Sequence, residues 1–246
     1  MRKLLFLFVF AATFNMLAQD AVLLRVNYKI GDVLLVDQDV SQKMGAQGGI
    51  DMKVEMSMTV TGKEGSVYNT KSKIKSVNMN MLQGGKIVSF DSSKKATDLD
   101  ETGKMMKKQF DPMMLVTIFS KISTEGKVLE TNVEPPTPSM DQFTKQAKGG
   151  MEFPKEKVTV GSSWKGETNE QGMQVKSMYT VSKIEKGKVF IEVTGTVAGV
   201  GTGEIQGEVI VDVETGIQDT ANIEMSINAN GMAMTISTKT ATTKMM

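Results

Sequence analysis

The stretch that decides the fold is residues 52–60, MKVEMSMTV, in which apolar and polar side chains alternate strictly. Apolar residues occupy the even positions from Met52 to Val60, and polar residues such as Lys53 and Glu55 occupy the odd ones. Successive side chains of a β-strand point to opposite faces of its sheet. The pattern therefore predicts a strand with one buried face and one solvated face.

The same alternation returns along much of the chain, at residues 205–213, 223–229 and 232–236. Short sequences typical of turns lie between the apolar runs. These turn sequences are Asn230-Gly231, Glu214-Thr215-Gly216, Glu185-Lys186-Gly187 and Glu125-Gly126. Long alternating strands joined by short turns predict an antiparallel meander.

Helical signals are confined to the middle of the chain. Residues 101–114 could form a short helix limited by Pro112, whereas residues 115–129 favour a hairpin. Residues 137–148 have the better helical signal, with Thr137 as N-cap and Pro138 at the first helical position. We therefore predict a mainly β fold (β-rich α+β). It is a long curved antiparallel sheet or incomplete barrel of about ten or more strands, with two short mid-chain helices.

The composition excludes several kinds of chemistry. The 246 residues include no Cys and no His, so disulfides, thiolate zinc sites and Ser-His-Asp or Cys-His catalysis are impossible. The 29 basic and 28 acidic residues nearly cancel, which argues against binding to nucleic acid. We expect no enzyme activity, no cofactor and no resident metal.

The N-terminus has the pattern of a cleavable secretory signal peptide. Arg2 and Lys3 precede the nine apolar residues 4–12, LLFLFVFAA, and cleavage is expected after Ala18 or Gln19. Nine apolar residues fall short of the ~20 that span a bilayer, and no Cys follows to accept a lipid. We expect residues 1–19 to be removed and the protein to be exported to the periplasm or beyond, without a transmembrane segment.

Residues 20–246 are predicted to form a single β-rich domain. Its two halves, 20–133 and 150–246, have similar spacing, because 16 residues separate Gly49 from Gly65 and 15 separate Gly172 from Gly187. The spacing is compatible with a pseudo-repeat, although similar β-units also recur by chance. The Pro-rich stretch 134–138 is the candidate linker, and two smaller β-domains meeting near residues 134–150 are the alternative.

The order of five short segments carries a family resemblance. The segments are Tyr28-Lys29-Ile30-Gly31-Asp32, Phe90-Asp91-Ser92-Ser93, Glu125-Gly126-Lys127-Val128-Leu129, Phe153-Pro154 with Val160-Gly161-Ser162-Ser163-Trp164, and Val211-Asp212-Val213-Glu214-Thr215-Gly216-Ile217. The chain resembles a domain-of-unknown-function family of exported, β-rich, Gly/Met-rich proteins from Gram-negative bacteria. The resemblance implies an exported β-rich protein and supplies no catalytic residue. Ser162 departs from the family's Asp and bears only on a local turn.

The 21 Met residues allow two interpretations. Thioethers are ligands for Cu(I), and the candidate ligands are Met56, Met58, Met79, Met81, Met105, Met106, Met113 and Met114. A hairpin that turned at residues 62–65 would place Met79 and Met81 opposite positions 48 and 46, roughly 33 Å from Met56 and Met58. Such a distance favours the second interpretation, in which Met provides a flexible apolar face.

The candidate ligand pocket is this apolar face, with the residues Met52, Val54, Met56, Met58, Met140 and Phe143. We expect a non-catalytic exported binding protein that holds an apolar, amphipathic or lipid-like ligand in the concavity of the sheet. One alternative is a structural or interaction module of the cell envelope, whose sheet edges contact another protein. The third interpretation is sequestration of Cu(I) or Ag(I) through Met.

Overall fold

A computed structural model describes residues 21–45, 48–137, 140, 150–170, 172–229 and 231–245. The predicted signal peptide at residues 1–19 lies outside these ranges. The second predicted helix, residues 137–148, also lies outside them apart from Thr137 and Met140.

Twelve strands and one α-helix are found within the described ranges. They are β1 (Val33–Met44), β2 (Gly48–Glu64), β3 (Val67–Gln83), β4 (Lys86–Asp91), α1 (Glu101–Leu115), β5 (Thr117–Ser123), β6 (Val128–Glu134), β7 (Ser163–Glu170), β8 (Met173–Glu185), β9 (Lys188–Gly199), β10 (Thr202–Asp212), β11 (Gln218–Ala229) and β12 (Met232–Lys244), with a short 3-10 turn at Ala96–Asp98. The predicted mainly β fold is confirmed.

The strands form one antiparallel sheet in the order β6-β5-β3-β2-β1-β12-β11-β10-β9-β8-β7. The remaining strand, β4, pairs with residues 78–83 at the C-terminal end of β3. Neighbours in sequence are mostly neighbours in the sheet, as the alternation and short turns predicted. The turn between β8 and β9 consists of Lys186 and Gly187, whose φ angles of 52° and 74° are those of a tight hairpin turn. The helix α1 begins where Asp100 Oδ1 accepts a hydrogen bond from Gly103 N at 2.7 Å.

The three-strand units β1–β3 and β7–β9 share one pattern of backbone hydrogen bonds at the start of their first strand. Gly31 N, just before β1, donates to Val60 O at 2.9 Å, and Gly161 N, just before β7, donates to Val181 O at 2.8 Å. In each unit the amide of this Val donates a hydrogen bond to the carbonyl oxygen of the residue that follows the glycine. Each second strand also has a register shift directly after this Val.

The sheet curves until its two edge strands, β6 and β7, approach each other at one end. Glu152 contacts both edges: its carboxylate lies 3.3 Å from Lys127 Nζ beside β6, and its carbonyl oxygen accepts a hydrogen bond from Trp164 Nε1 in β7 at 2.9 Å. The path between the edges contains 11 strands, so its ten spacings of about 4.8 Å would cover roughly 48 Å in a flat sheet. The sheet is therefore an incomplete barrel.

Two groups of buried residues form the core. The main core cluster joins both ends of the sheet and consists of Leu24, Val26, Val60, Tyr68, Met151, Phe153, Val158, Val181, Val189, Ile191, Val193, Val197, Ile205, Val209 and Val211. The helix-covered cluster consists of Val54, Ile74, Val77, Val116, Ile118 and Met140. In the second cluster α1 packs on β3 and β4, and the rings of Phe90 and Phe110 stack with their centroids 5.4 Å apart.

Candidate ligand-binding site

A groove of ≈480 Å³ opens where the edges of the sheet approach each other. We call it the seam groove, and its lining includes Lys127, Glu152, Phe153, Pro154, Trp164, Val175 and Tyr179. Ligand pockets in proteins are typically about 300–1,000 Å³. The seam groove is therefore large enough for a small organic molecule.

Aromatic side chains form one wall of the seam groove. The rings of Trp164 and Tyr179, which are cross-strand partners in β7 and β8, lie with centroids 5.5 Å apart and planes inclined by 32°. A Cβ atom at Gly166 would lie 2.8 Å from the Tyr179 ring, so the glycine makes room for that ring. Because the indole N–H already donates to Glu152, Trp164 offers a ligand its ring surface.

Charged side chains of both signs line the same groove. Lys127 is paired with Glu152, and Lys155, Lys165, Glu156 and Glu167 complete the set. Ion pairs of this kind lie at the surface and contribute little to stability. They give the groove a polar opening beside its aromatic wall, which suits an amphipathic molecule.

A smaller cavity of ≈190 Å³ lies between the centre of the sheet and the segments that pack against it. We call it the inner cavity, and its lining consists of Val26, Tyr28, Leu34, Val36, Met58, Ile122, Gly126, Phe153, Gly216, Ile217, Gln218 and Thr242. Most of these side chains are apolar. An engineered apolar cavity of about 150 Å³ binds benzene, so the inner cavity has room for a group of similar size.

Phe153 belongs to the lining of both spaces. Its side chain is buried, with 3% of its surface exposed, and its amide donates to Glu125 O at 2.8 Å. A Cβ atom at Gly126 would lie 3.8 Å from the Phe153 ring, which places the ring against the turn between β5 and β6. Phe153 thus borders both the seam groove and the inner cavity.

Residues 21–32, which we call the strap, contribute Val26 and Tyr28 to the lining of the inner cavity. Arg25 Nη1 donates to Pro154 O at 2.7 Å and Nη2 donates to Lys155 O at 2.8 Å. The amide of Val26 donates to Thr124 O at 2.7 Å. A Cβ atom at Gly216 would lie 2.1 Å from Arg25 O, so the turn between β10 and β11 approaches the strap closely. The strap is therefore held on several sides.

The polar groups beside the inner cavity have shifted pKa values. Burial raises the pKa of Tyr28 to about 12, and Tyr68 and Asp32 add to the shift. Burial alone would raise the pKa of Asp32, but hydrogen bonds from Lys244 and the Lys29 amide outweigh it and lower that pKa. Tyr28 therefore stays neutral and Asp32 ionised near neutral pH.

The structure divides the predicted pocket residues between two places. Met58 lines the inner cavity, whereas Val54 and Met140 are buried in the helix-covered cluster, with Met52 packed against it. Phe143 lies outside the described residues. The predicted apolar face is therefore shared by a closed core and a cavity.

The predicted register of the β2–β3 hairpin is wrong. Met79 pairs with Met52 and Met81 pairs with Ile50, because the turn lies at residues 65–66 and each strand has a register shift. Met56 is then only four residues along β2 from the partner of Met79, about 13 Å at ~3.3 Å per residue. The separation of roughly 33 Å predicted from the sequence does not exist. Among the described residues, no group of three or more Asp or Glu side chains could hold a metal ion.

Most residues of the seam groove were not predicted from the sequence. Trp164 and Phe153 were named only in the segments that carry the family resemblance, and Tyr179 was assigned no role. The groove depends on the meeting of β6 and β7, which are the two ends of an 11-strand path through the sheet, and no local pattern encodes that contact. Gly166, which pairs with Ser177 and lies beside the Tyr179 ring, is the one local signal of an edge strand with room for a ring.

Comparison with known proteins does not identify a relative: no family model matches the sequence, and no curated protein is significantly similar to it. The helix found in the described part of the chain is not long and apolar enough to cross a membrane. The site is therefore interpreted from its own geometry.

Proposed function

We propose that this protein is a non-catalytic, exported binding protein that holds an apolar or amphipathic ligand on the concave side of its sheet. The observation that carries the proposal is the adjacency of the apolar inner cavity and the aromatic seam groove. Pockets that combine an apolar interior with a few polar groups at the opening are typical ligand sites.

The lining of the two spaces supports binding of an amphiphile. Leu34, Val36, Met58 and Ile217 offer the inner cavity an apolar surface, which suits burial of a hydrocarbon group. The Trp164–Tyr179 pair offers a flat surface at the opening, and charged side chains surround it. One molecule with an apolar end and a polar end can contact both regions.

Export is the second part of the proposal and rests on the N-terminal pattern of residues 1–19. The order of the five motifs likewise supports placing the chain with the exported domain-of-unknown-function family that it resembles. Expression of the full chain in a Gram-negative host tests export. We expect mass spectrometry to show periplasmic or secreted protein that begins at Gln19 or Asp20. Cytoplasmic protein that still begins at Met1 would contradict export.

Native mass spectrometry of the protein purified from its host tests ligand binding. We expect a bound mass that organic extraction releases and that Trp164→Ala reduces. Phe119→Ala is the matched control, because Phe119 is 38% exposed and alternates along β5 with the buried Ile118 on the opposite face. A wild-type protein that carries no ligand and takes up no amphiphile would contradict the proposal.

An envelope interaction module is a second candidate function, favoured by the two edge strands. Among the described strands, β6 and β7 each pair on one side only, and such edges can accept a strand from another protein. Crosslinking in cells followed by pull-down distinguishes the candidates. A stable protein partner would favour the module, whereas a bound amphiphile without a partner favours the carrier.

Sequestration of Cu(I) or Ag(I) is the third candidate, and the observed register brings its ligands closer than predicted. Met52 lies directly opposite Met79, and Met81 is two residues further along the same strand. Three thioethers are then within reach of one another. Anaerobic titration with Cu(I) tests this candidate, which is discarded if binding is weaker than about micromolar.

A further inference from the structure

We infer that Phe153 divides one binding site into two compartments and thereby limits the ligand to an amphiphile with a single narrow apolar group. This inference rests on the proposed function and adds the chemical class of the ligand. The polar end would occupy the seam groove, and the apolar end would pass the Phe153 ring into the inner cavity.

The position of the ring is the first observation. Phe153 is the one residue shared by the apolar inner cavity and the aromatic wall of the seam groove among the described lining residues. Its sequence neighbours Glu152 and Pro154 line the groove alone. The buried ring is therefore the partition between the two compartments.

The backbone around Phe153 is held on both sides. Its amide donates to Glu125 O, and Arg25 Nη1 donates to the carbonyl oxygen of Pro154 at 2.7 Å. Movement of the whole segment would break these bonds, whereas rotation of the Phe153 side chain about its χ angles would not. The direct path from the seam groove to the inner cavity therefore depends on the ring.

The dimensions define the ligand. The inner cavity of ≈190 Å³ is close to the cavity of about 150 Å³ that holds benzene, so one short alkyl chain or one ring fits. A lipid with two acyl chains does not. The seam groove of ≈480 Å³ has room for the remainder, and its side chains of both charge signs suit a zwitterionic head group.

Isothermal titration calorimetry with alkylphosphocholines, from hexyl to tetradecyl and below their micelle concentrations, tests the inference. In the wild type we expect affinity to stop rising once the chain fills the space that Phe153 leaves. In Phe153→Leu the plateau should move to longer chains, and affinity for the longest probe should increase about tenfold. Phe90→Leu, at a buried Phe that stacks on Phe110 of α1, should retain the wild-type profile.

The outcomes separate the inference from the proposed function. Binding with identical chain-length profiles in the wild type and Phe153→Leu would overturn the inference and leave the proposed function intact. Absence of binding in both proteins would overturn both. Circular dichroism establishes that each variant is folded, and Phe153→Met, whose unbranched side chain has about the volume of Leu, takes the place of a Leu variant that does not fold.

Discussion

The two halves of the sheet differ in the strand that pairs with β3 in the first half and with β9 in the second. In the second half, the neighbour of β9 is the continuous strand β10 (Thr202–Asp212). In the first half, the neighbour of β3 is divided into β4 and β5, with α1 inserted between them. An interrupted strand and a continuous strand therefore occupy equivalent places in the sheet.

Glycine allows the continuous strand to bend. A Cβ atom at Gly203 would lie 2.1 Å from Ser226 O, and one at Gly207 would lie 2.2 Å from Asn222 O. No side chain fits at such distances, so the neighbouring backbone approaches because the side chain is absent. β4 and β5 contain no glycine. In the first half, the break between these two strands allows the sheet to bend.

The difference has a consequence for function. The interruption in the first half provides α1, which covers the apolar face of β3 and closes it into the helix-covered cluster. The second half is bent by glycine, and its edge strand β7 contributes the aromatic wall of the seam groove. A closed core and an open groove can therefore arise from similar strand patterns in one sheet.

The largest expected effect comes from Gly203→Ala. The new methyl group would collide with Ser226 O, and relief would break hydrogen bonds between β10 and β11, so we expect a loss of about 3 kcal/mol or more in the free energy of unfolding. Urea denaturation measures it. Gly48→Ala is the control, because the nearest atom to its Cβ would be 3.6 Å away. Equal effects at both positions would contradict bending by glycine.

Phe110→Ala tests the role of α1 in the first half. The substitution removes the stacking on Phe90 and part of the cover over the helix-covered cluster, so we expect a loss of about 2 kcal/mol. Hydrogen exchange should increase in β3 and β4 and remain slow in β9 and β10. Met105→Ala on the same helix is the control, since Met105 is 67% exposed. Faster exchange in both halves would show that α1 does not stabilise the first half alone.

Asp32→Asn tests the charged turn that precedes β1. Asp32 Oδ2 lies 2.8 Å from Lys244 Nζ and accepts from the Lys29 amide at 2.9 Å, so we expect a loss of about 1 kcal/mol at neutral pH. Because the folded-state pKa of Asp32 is lowered, this stabilisation is fully present above the unfolded pKa of about 3.9. It is lost as pH falls through the folded pKa.

Urea denaturation from pH 7 down to pH 2 measures this dependence on Asp32. The difference between wild type and Asp32→Asn should be constant above about pH 5 and should shrink below about pH 4. Ser162→Ala is the control at the equivalent turn before β7, and its effect should not vary with pH. A constant difference at Asp32 across the whole range would contradict the ionised pair.

The smallest effect is expected for Ser162→Asp, which gives the second turn the residue of the first. Ser162 Oγ accepts from the Thr159 amide at 2.9 Å, the bond that Asp32 makes with Lys29. An Asp carboxylate can accept the same bond, so thermal unfolding should reveal a change within about 0.5 kcal/mol. A loss of several times that size would show that the two turns are not equivalent.

Local patterns predicted the elements well because local forces determine them. The alternation at residues 52–60 became the centre of β2, residues 101–114 became α1, and residues 115–129 formed β5 with the start of β6. The hairpin register failed by four residues, since the turn at 65–66 was assigned too early. Turn position depends on which glycine adopts a positive φ, and Gly65 does so at 58°, whereas Gly62 does not.

The sequence by itself determined the β class, the short turns, the first helix and the absence of Cys and His chemistry. Each of these depends on side-chain period, backbone freedom or residue type, and all three are local properties. Only the tertiary structure decided that β6 meets β7 and that Phe153 borders both the groove and the cavity. It also decided that Met58 lines the inner cavity, whereas Val54, four residues away on the same strand, lies in the helix-covered cluster. Curvature accumulates over 11 strands, and no single segment of the sequence contains it.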